Sequence, residues 1–329
     1  MIRCPLLGFL ALALLSPELA FAAAPNVLLI VADDQGWGDV PWRGSPARMP
    51  NLDTLRQSGT ELMRFYASPV CSPTRAALYT GRSAFQQGIR DQFAPRDDGL
   101  SLLEHLMPES FRVAGYQTAL TGKWHLGSTT PERCPPARGF DHFYGFLGPA
   151  IDYYRHLFTG PAGGLDWQRD GVTLNEAGYT TDLIAAEEVR LLRTRDKTKP
   201  FLHVVTFNAP HTPYAAPDTL KANCPKLTGD AQTYAAMLES LDNGIGAILG
   251  ELATQGIANN TLVVYVSDNG AVAPGSNAPL RLGKGNAFDA GSRDAALLTT
   301  LPAGTSYTVQ ASGKNNTTGT MLVEFYLLR

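Results

Sequence analysis

The sequence predicts an α/β fold built on a mostly parallel central sheet, and three observations carry that prediction. Continuous apolar runs at Asn26–Ala32, residues 200–207 and Thr261–Ser267 suit strands covered on both faces, as parallel strands are. Between them lie stretches of helical periodicity, residues 180–193 and 231–253, the second with Met237, Leu238, Leu241, Ile245, Ile248 and Leu249 on one face. The strand runs end in polar and ionisable residues, at the edge where open α/β sheets bind ligands. A chain of 329 residues with 44% hydrophobic content supports one large domain, with room for a smaller second one. Its formal net charge is only −3 and no basic run stands out, which argues against a nucleic-acid partner. Any anionic ligand must be held by local charge.

Arg3 precedes an apolar run over residues 6–15, and Ala20-Phe21-Ala22 offers small residues for cleavage. Residues 1–22 therefore read as a secretory signal peptide, and the mature chain as exported, periplasmic or extracellular. A membrane anchor is the competing reading, but the run falls short of the roughly 20 residues a span needs, and no later segment reaches that length. Loss of Cys4 with the signal leaves Cys71, Cys134 and Cys224. In an oxidising compartment Cys134 and Cys224 could pair; two unpaired buried thiols are the equal alternative.

The first apolar run ends in Asp33-Asp34-Gln35-Gly36. Two adjacent carboxylates there suit a hard cation, Ca²⁺ or Mg²⁺, although an isolated Asp pair is more often a polar turn or a cap. Residues 50–59 read as a short helix ending at Gly59. In Cys71-Ser72-Pro73-Thr74-Arg75, Pro73 suits a first helical turn and Gly81 a helix stop, so Cys71 is expected just before a short helix. Free N–H groups and the helix dipole would attract negative charge to that end, and Arg75 could reach back toward it. A Cys by itself is more often a small buried hydrophobe. Over residues 115–127 a strand leads into a loop where Lys123 and His125, one residue apart, would point the same way if the loop is extended. Each alone is ordinarily solvated. The second apolar run is followed by Asn208-Ala209-Pro210-His211-Thr212-Pro213, a rigid turn that gives His211 either a structural or a ligand-binding place. The third ends in Asp268-Asn269-Gly270, and with Asp33 and Asp34 makes four oxygen-bearing side chains, a protein share of a Ca²⁺ shell. Lys284 sits in the Gly-rich run Leu280-Arg281-Leu282-Gly283-Lys284-Gly285.

The pattern Cys71-x-Pro73-x-Arg75, closed by Thr80-Gly81, resembles the signature of the sulfatase family, whose Cys is oxidised after translation to formylglycine. Thr74 stands where the family more often has Ser, and keeps the hydroxyl. The Pro50-Asn51-Leu52-Asp53 helix, Gly122-Lys123-Trp124-His125-Leu126-Gly127, Pro210-His211-Thr212-Pro213 and Lys284, with Phe288, Gly291 and Arg293 beyond it, are similar to family motifs in the family's order over residues 26–293. Arg138-Gly139-Phe140-Asp141, Tyr144-Gly145-Phe146-Leu147 and Asp152-Tyr153-Tyr154 most resemble the branch of arylsulfatase B and the galactosamine sulfatases. Their aromatics would serve as a sugar platform or as core.

The resemblance implies an alkaline-phosphatase/sulfatase-like sandwich that hydrolyses sulfate esters, on a carbohydrate, by a Ca²⁺-assisted formylglycine hydrate at position 71. It implies Asp33, Asp34, the modified Cys71, Asp268 and Asn269 as ligands of Ca²⁺, with Mg²⁺ less favoured. Lys123, His211 and Lys284 would clamp the sulfate, and His211 or Lys284 would help the leaving oxygen acquire a proton. His125 would take the proton of the second hydroxyl, and Arg75 would hold position 71. A formylglycine-generating enzyme would act on the chain during maturation. A phosphatase or phosphonate hydrolase of the same superfamily would share the metal pairs, and a secreted, non-catalytic chain that binds sulfated glycans is the reading of a different class.

The expected organisation is a signal peptide at 1–22, a catalytic domain at 23–293 and a β-rich tail at 294–329. Alternation at residues 307–312 and 321–327, around a Gly/Asn/Thr-rich turn, predicts a β-hairpin there. A typical family member continues with more catalytic domain and a smaller C-terminal sheet domain, so this tail is expected to mark a truncation or a replacement.

Overall fold

The computed structural model describes residues 24–95, 97–160, 163–280, 283–285, 295–300, 307–311 and 323–327, the last three as backbone paths. The expected signal peptide, Arg281, Phe288, Gly291, Arg293 and the turn of the expected hairpin lie outside these residues.

Among the described residues, nine strands form one sheet. They are β1 (Asn26–Ala32), β2 (Thr60–Phe65), β3 (Gln117–Lys123), β4 (His142–Phe146), β5 (Gln168–Arg169), β6 (Val172–Thr173), β7 (Phe201–Thr206), β8 (Thr261–Ser267) and β9 (Ala295–Thr300). The order across the sheet is β2-β9-β8-β1-β7-β3-β4-β5-β6. The five strands from β8 to β4 are parallel, with antiparallel β9 and β2 extending one edge and β5 and β6 the other. The helices are α1 (Pro50–Ser58), α2 (Cys71–Thr80), α3 (Met107–Val113), α4 (Thr180–Thr194), α5 (Asp218–Lys221) and α6 (Gly229–Thr254). None of them is long and apolar enough to cross a membrane.

A strand's period of two explains the continuous apolar runs. On β1, Leu28, Ile30 and Ala32 enter one apolar layer while Leu29 and Val31 enter the other. β8 divides likewise, Val263 and Tyr265 against Leu262, Val264 and Val266. Helices α4 and α6 close the first layer with Ile184, Leu192, Leu241 and Ile245, and α2 supplies Ala76 and Tyr79 to the second. Each of the Leu, Ile and Val side chains among them, fully buried, contributes about 1.5–3 kcal/mol. Of the stripe expected on α6, Met237, Leu238, Leu241, Ile245 and Ile248 are buried and Leu249 is partly so.

Two details differ from expectation, the place of Cys71 and that of β9. Cys71 opens α2 instead of preceding it: Val70 is the extended residue before the helix, and Pro73 still falls in the first turn. Gly81 ends α2 at φ 65°, the left-handed stop expected of a glycine. Strand β9, within the stretch expected to be a tail, joins the main sheet between β8 and β2. Beyond it β10 (Tyr307–Ala311) and β11 (Val323–Leu327) pair antiparallel, Tyr307 opposite Leu327 and Ala311 opposite Val323. Cys134 and Cys224 are both free thiols.

Helix α1 has no side-chain cap of its own. Asp242 of α6 supplies one, its carboxylate accepting the Asn51 and Leu52 N–H groups at 3.1 and 2.7 Å and the Asn51 Nδ2 at 2.8 Å. Asp242→Ala strands the buried Leu52 donor and the partly buried Asn51 donors and should lower stability by about 1–3 kcal/mol. Urea unfolding measures it; an unchanged midpoint would contradict the capping role.

Candidate active site

The parallel strands converge their carboxyl ends on one place. β1 hands over to Asp33 and Asp34, β3 ends at Lys123, β7 leads to Asn208 and His211, and β8 to Asp268 and Asn269. The strand ends are laced together: Asp33 N–H donates to the Ala209 carbonyl at 3.2 Å and Asp268 N–H to that of Ala32 at 3.0 Å. Gly122 lets β3 lie against β7, for at φ 105° an added Cβ would sit 1.9 Å from the Thr206 carbonyl oxygen. The start of α2 brings Cys71, and Gly285 N–H on the Pro69 carbonyl, 2.9 Å, holds the Lys284 turn beside it. Thr74 Oγ1 accepts the Ser68 N–H at 2.8 Å, which is a use for the hydroxyl at that motif position.

Cys71 is fully buried, its Sγ 3.5 Å from Asp33 Oδ1 and 3.4 Å from Lys284 Nζ. Lys284 Nζ also lies 2.7 and 2.9 Å from the two Asp34 oxygens, and Lys123 Nζ donates to Asp33 Oδ2 at 2.6 Å. His211 Nε2 is 3.6 Å from Asp34 Oδ2. Asn269 Nδ2 donates to Asp34 Oδ1 at 2.6 Å, and Asp268 Oδ1 accepts the Asp34 N–H at 3.3 Å. His125 Nε2 lies 3.0 Å from the Phe93 carbonyl.

Arg75 reaches the groups around Cys71: its Nε and Nη2 donate to Asp268 Oδ2 at 3.1 and 2.9 Å and its Nη1 to the Lys123 carbonyl at 3.0 Å. It braces the carboxylates around position 71. Lys123 and His125 do not share an extended loop, because β3 runs through Lys123 and His125 adopts φ 56°. Their side chains go to different partners, Asp33 and the Phe93 carbonyl.

The electrostatics also depart from an anion-attracting helix start. Burial, then the charge of Asp268, pushes the Cys71 thiol up, with Lys123 opposing, so it stays protonated. Burial opposes ionisation of Asp33, but Lys123, His211, Arg75 and Lys284 outweigh it and hold the carboxyl well below the usual carboxylate range. Burial and then Asp33 push Asp268 up to about 6, against Arg75 and Lys123. Burial weakens the Lys284 charge, but the carboxylates of Asp34, Asp33 and Asp268 overcome it and keep the ammonium. Burial and Lys123 hold His125 well below the ordinary histidine value, so its ring is neutral.

The donor set could hold a metal ion. Ligand atoms of Asp33, Asp34, Cys71 and His211 lie within 4.8 Å of one another. Asn269 Oδ1 is buried with no hydrogen-bond partner among the described residues, an acceptor that a cation would satisfy. Asp33, Asp34 and Asp268 are matched in formal charge by Arg75, Lys123 and Lys284, so a cation and an anionic substrate can enter together without a large imbalance. His211 joins this group where the sequence pointed to Asp268, whose Oδ2 is held by Arg75.

Thr206, Asp39 and Tyr234 were not singled out from sequence, and Tyr153 was named there only among the aromatics. Tyr153, buried, donates its hydroxyl toward the Asn208 and His211 carbonyls at 2.7 and 2.8 Å and so braces the His211 turn. Phe140, Tyr144 and Phe146 are core, while Tyr154 is 46% exposed. Thr206 Oγ1 donates to the Lys123 carbonyl at 2.7 Å, and Tyr234 Oη lies 2.6 Å from Asp39 Oδ2 and 3.2 Å from the Asp34 carbonyl. A polar residue closing an apolar strand, as Thr206 does, was the available signal.

Carboxylates, a side chain at a helix start and basic groups thus meet at one edge of the sheet. The chain belongs to the sulfatase family, whose model matches residues 25–300, and falls in the galactosamine sulfatase-like branch. It is 34% identical over 284 residues to arylsulfatase J of Mus musculus, covering 83% of this chain and 48% of that protein. It is 34% identical over 311 residues to N-acetylgalactosamine-6-sulfatase of Rattus norvegicus, covering 83% of this chain and 56% of that one. The chain thus spans about half the length of these curated relatives. Among solved structures, Ps i-CgsB in complex with k-i-k-neocarrahexaose is 34% identical with a TM-score of 0.78, over 85% of this chain and 66% of that one. The phosphonate monoester hydrolase of Agrobacterium radiobacter, 21% identical with a TM-score of 0.58, over 84% of this chain and 68% of that one, shares the fold. The architecture is the α/β sandwich of alkaline phosphatases and sulfatases, as the sequence led one to expect.

Proposed function

We propose that this chain hydrolyses sulfate esters, on a sulfated carbohydrate, at the site centred on position 71. The observation that carries the reading is the convergence on Cys71 of Asp33 and Lys284, at 3.5 and 3.4 Å, in a chain the family model matches over residues 25–300. An unmodified Cys71 thiol, kept protonated by burial, is a poor nucleophile, which supports its conversion to formylglycine by a maturation enzyme. As a hydrated aldehyde, position 71 would supply two hydroxyls, one to attack sulfur and one to let sulfate depart as the aldehyde returns. A Ca²⁺ held by Asp33, Asp34, Asp268, Asn269 and position 71 would supply positive charge beside the sulfate.

The chain's own side chains do the rest. Lys123, His211 and Lys284 bind the sulfate oxygens, and Lys284, or His211 once its Nε2 has also gained a proton, gives a proton toward the leaving oxygen. His125, neutral and buried, takes the proton of the second hydroxyl. Arg75 keeps Asp268 in place through its paired contacts. Residues 1–22 support export, and a sulfated carbohydrate is the substrate class that sulfatase relatives and the carrahexaose-bound neighbour favour.

The test compares release of sulfate from an aryl sulfate with release of phosphate and phosphonate from matched esters, using protein produced with a formylglycine-generating system. Sulfate release should exceed the others by about 100-fold or more, roughly 2.7 kcal/mol of differential transition-state binding. Faster phosphate or phosphonate release would overturn the reading in favour of the neighbouring hydrolase class, and binding without any turnover would favour the glycan-binding one.

A further inference from the structure

Beside position 71, three hydrogen bonds close a ring that the chemistry above does not use. Ser72 Oγ donates to the His125 carbonyl at 3.1 Å and accepts the Phe93 N–H at 3.0 Å. The Phe93 carbonyl in turn lies 3.0 Å from His125 Nε2. Ser72 is wholly buried and His125 nearly so.

We propose that this ring fixes His125 in the tautomer that carries its proton on Nε2, leaving Nδ1 as the proton-accepting nitrogen, and that Ser72 is the positioning residue that maintains it. The proposal rests on the reading of His125 as a proton acceptor. A carbonyl oxygen only accepts, so the Nε2 that meets Phe93 must carry the hydrogen. A neutral imidazole has one N–H, so Nδ1 is then the bare lone pair. That atom is buried and has no hydrogen-bond partner among the described residues. An acceptor left so is unusual in a folded protein and is the group a substrate-derived or position-71 hydroxyl would satisfy. Burial and the neighbouring Lys123 keep the ring uncharged, consistent with a single N–H.

The ring is held from several sides. His125 adopts φ 56° and its N–H donates to the Leu147 carbonyl at 3.1 Å, so its backbone has little freedom to let the imidazole turn over. Phe93 meets Ser72 with its N–H and His125 with its carbonyl, so one peptide position transmits the Ser72 contact to the imidazole. Ser72 immediately follows Cys71 in α2, which ties the imidazole to the helix start that carries the reacting position. His211 is arranged the other way: its Nδ1 lies 2.5 Å from the Thr212 carbonyl and its Nε2 faces Asp34. The two site histidines therefore present opposite nitrogens.

The experiment is a two-bond proton–nitrogen correlation spectrum of the full chain with ¹⁵N-labelled histidine at neutral pH, His125 being assigned by its loss in His125→Gln. Wild type should show a protonated Nε2 and a bare Nδ1. Ser72→Ala removes both the hydroxyl donor and the acceptor of the Phe93 N–H, and should give averaged shifts from two tautomers. Ser72→Thr keeps the hydroxyl and should restore the wild-type pattern. In active protein, Ser72→Ala should lower kcat about tenfold, part of the full effect of a proton acceptor, with KM changed less than about twofold. A protonated Nδ1 in wild type would overturn the tautomer, and that spectrum decides it even if Ser72→Ala does not fold. An unchanged wild-type pattern in folded Ser72→Ala would overturn the role of Ser72. Because the spectrum reads the tautomer with or without turnover, absence of sulfate hydrolysis would count against the proposed function alone.

Discussion

Cys71→Ala is expected to eliminate sulfate-ester hydrolysis, a fall on the order of 10⁴-fold or more. Position 71 is where Asp33, Lys284 and the start of α2 meet, and Ala has neither a sulfur to oxidise nor any group to attack with. The fold should survive, since Ala is the best helix former and the change removes one buried atom, about 1 kcal/mol. Sulfate release and thermal unfolding, measured on the same preparation, separate the two effects. Wild-type-like turnover in the folded variant would remove Cys71 from the chemistry.

Asp33→Ala and Asp268→Ala should each lower turnover by about 10³-fold, roughly 4 kcal/mol of lost charge stabilisation, and abolish Ca²⁺ binding by titration calorimetry. Their effects on stability should be large as well. Asp268→Ala leaves the buried Arg75 guanidinium without the oxygen that takes two of its N–H groups, and Asp33→Ala strands the Lys123 ammonium that sits 2.6 Å from it. Removing one partner of a buried pair destabilises by about 3–5 kcal/mol. The Asn variants keep the shape and one oxygen, so they should recover part of the stability but not the cation. Normal turnover or normal Ca²⁺ binding in either Ala variant would refute the metal assignment.

The parallel heart of the fold was legible because β1, β7 and β8 are covered on both faces and must read as unbroken apolar runs. The same logic hid the edges. β2 and β9 lie at one edge, and β5 and β6 are two residues each at the other, too short to show any period. The motif residues were legible one by one. Asp33, Asp34, Lys123, His211 and Asp268 come together because strands distant in sequence pair in parallel and bring their carboxyl ends to one edge of the sheet. Contacts between these side chains were not legible, since no local rule says that Arg75 meets Asp268, 193 residues away. Backbone acceptors were invisible for the same reason. The Phe93 carbonyl and the Ser72 hydroxyl gain meaning only when the loop returns over α2.

The most direct test of the central claim is peptide mass spectrometry across residues 65–82 of protein from a host with a formylglycine-generating system, beside a sulfate-release assay on the same sample. The account predicts an aldehyde at position 71 together with turnover. A thiol at position 71 in protein that nevertheless releases sulfate would contradict it.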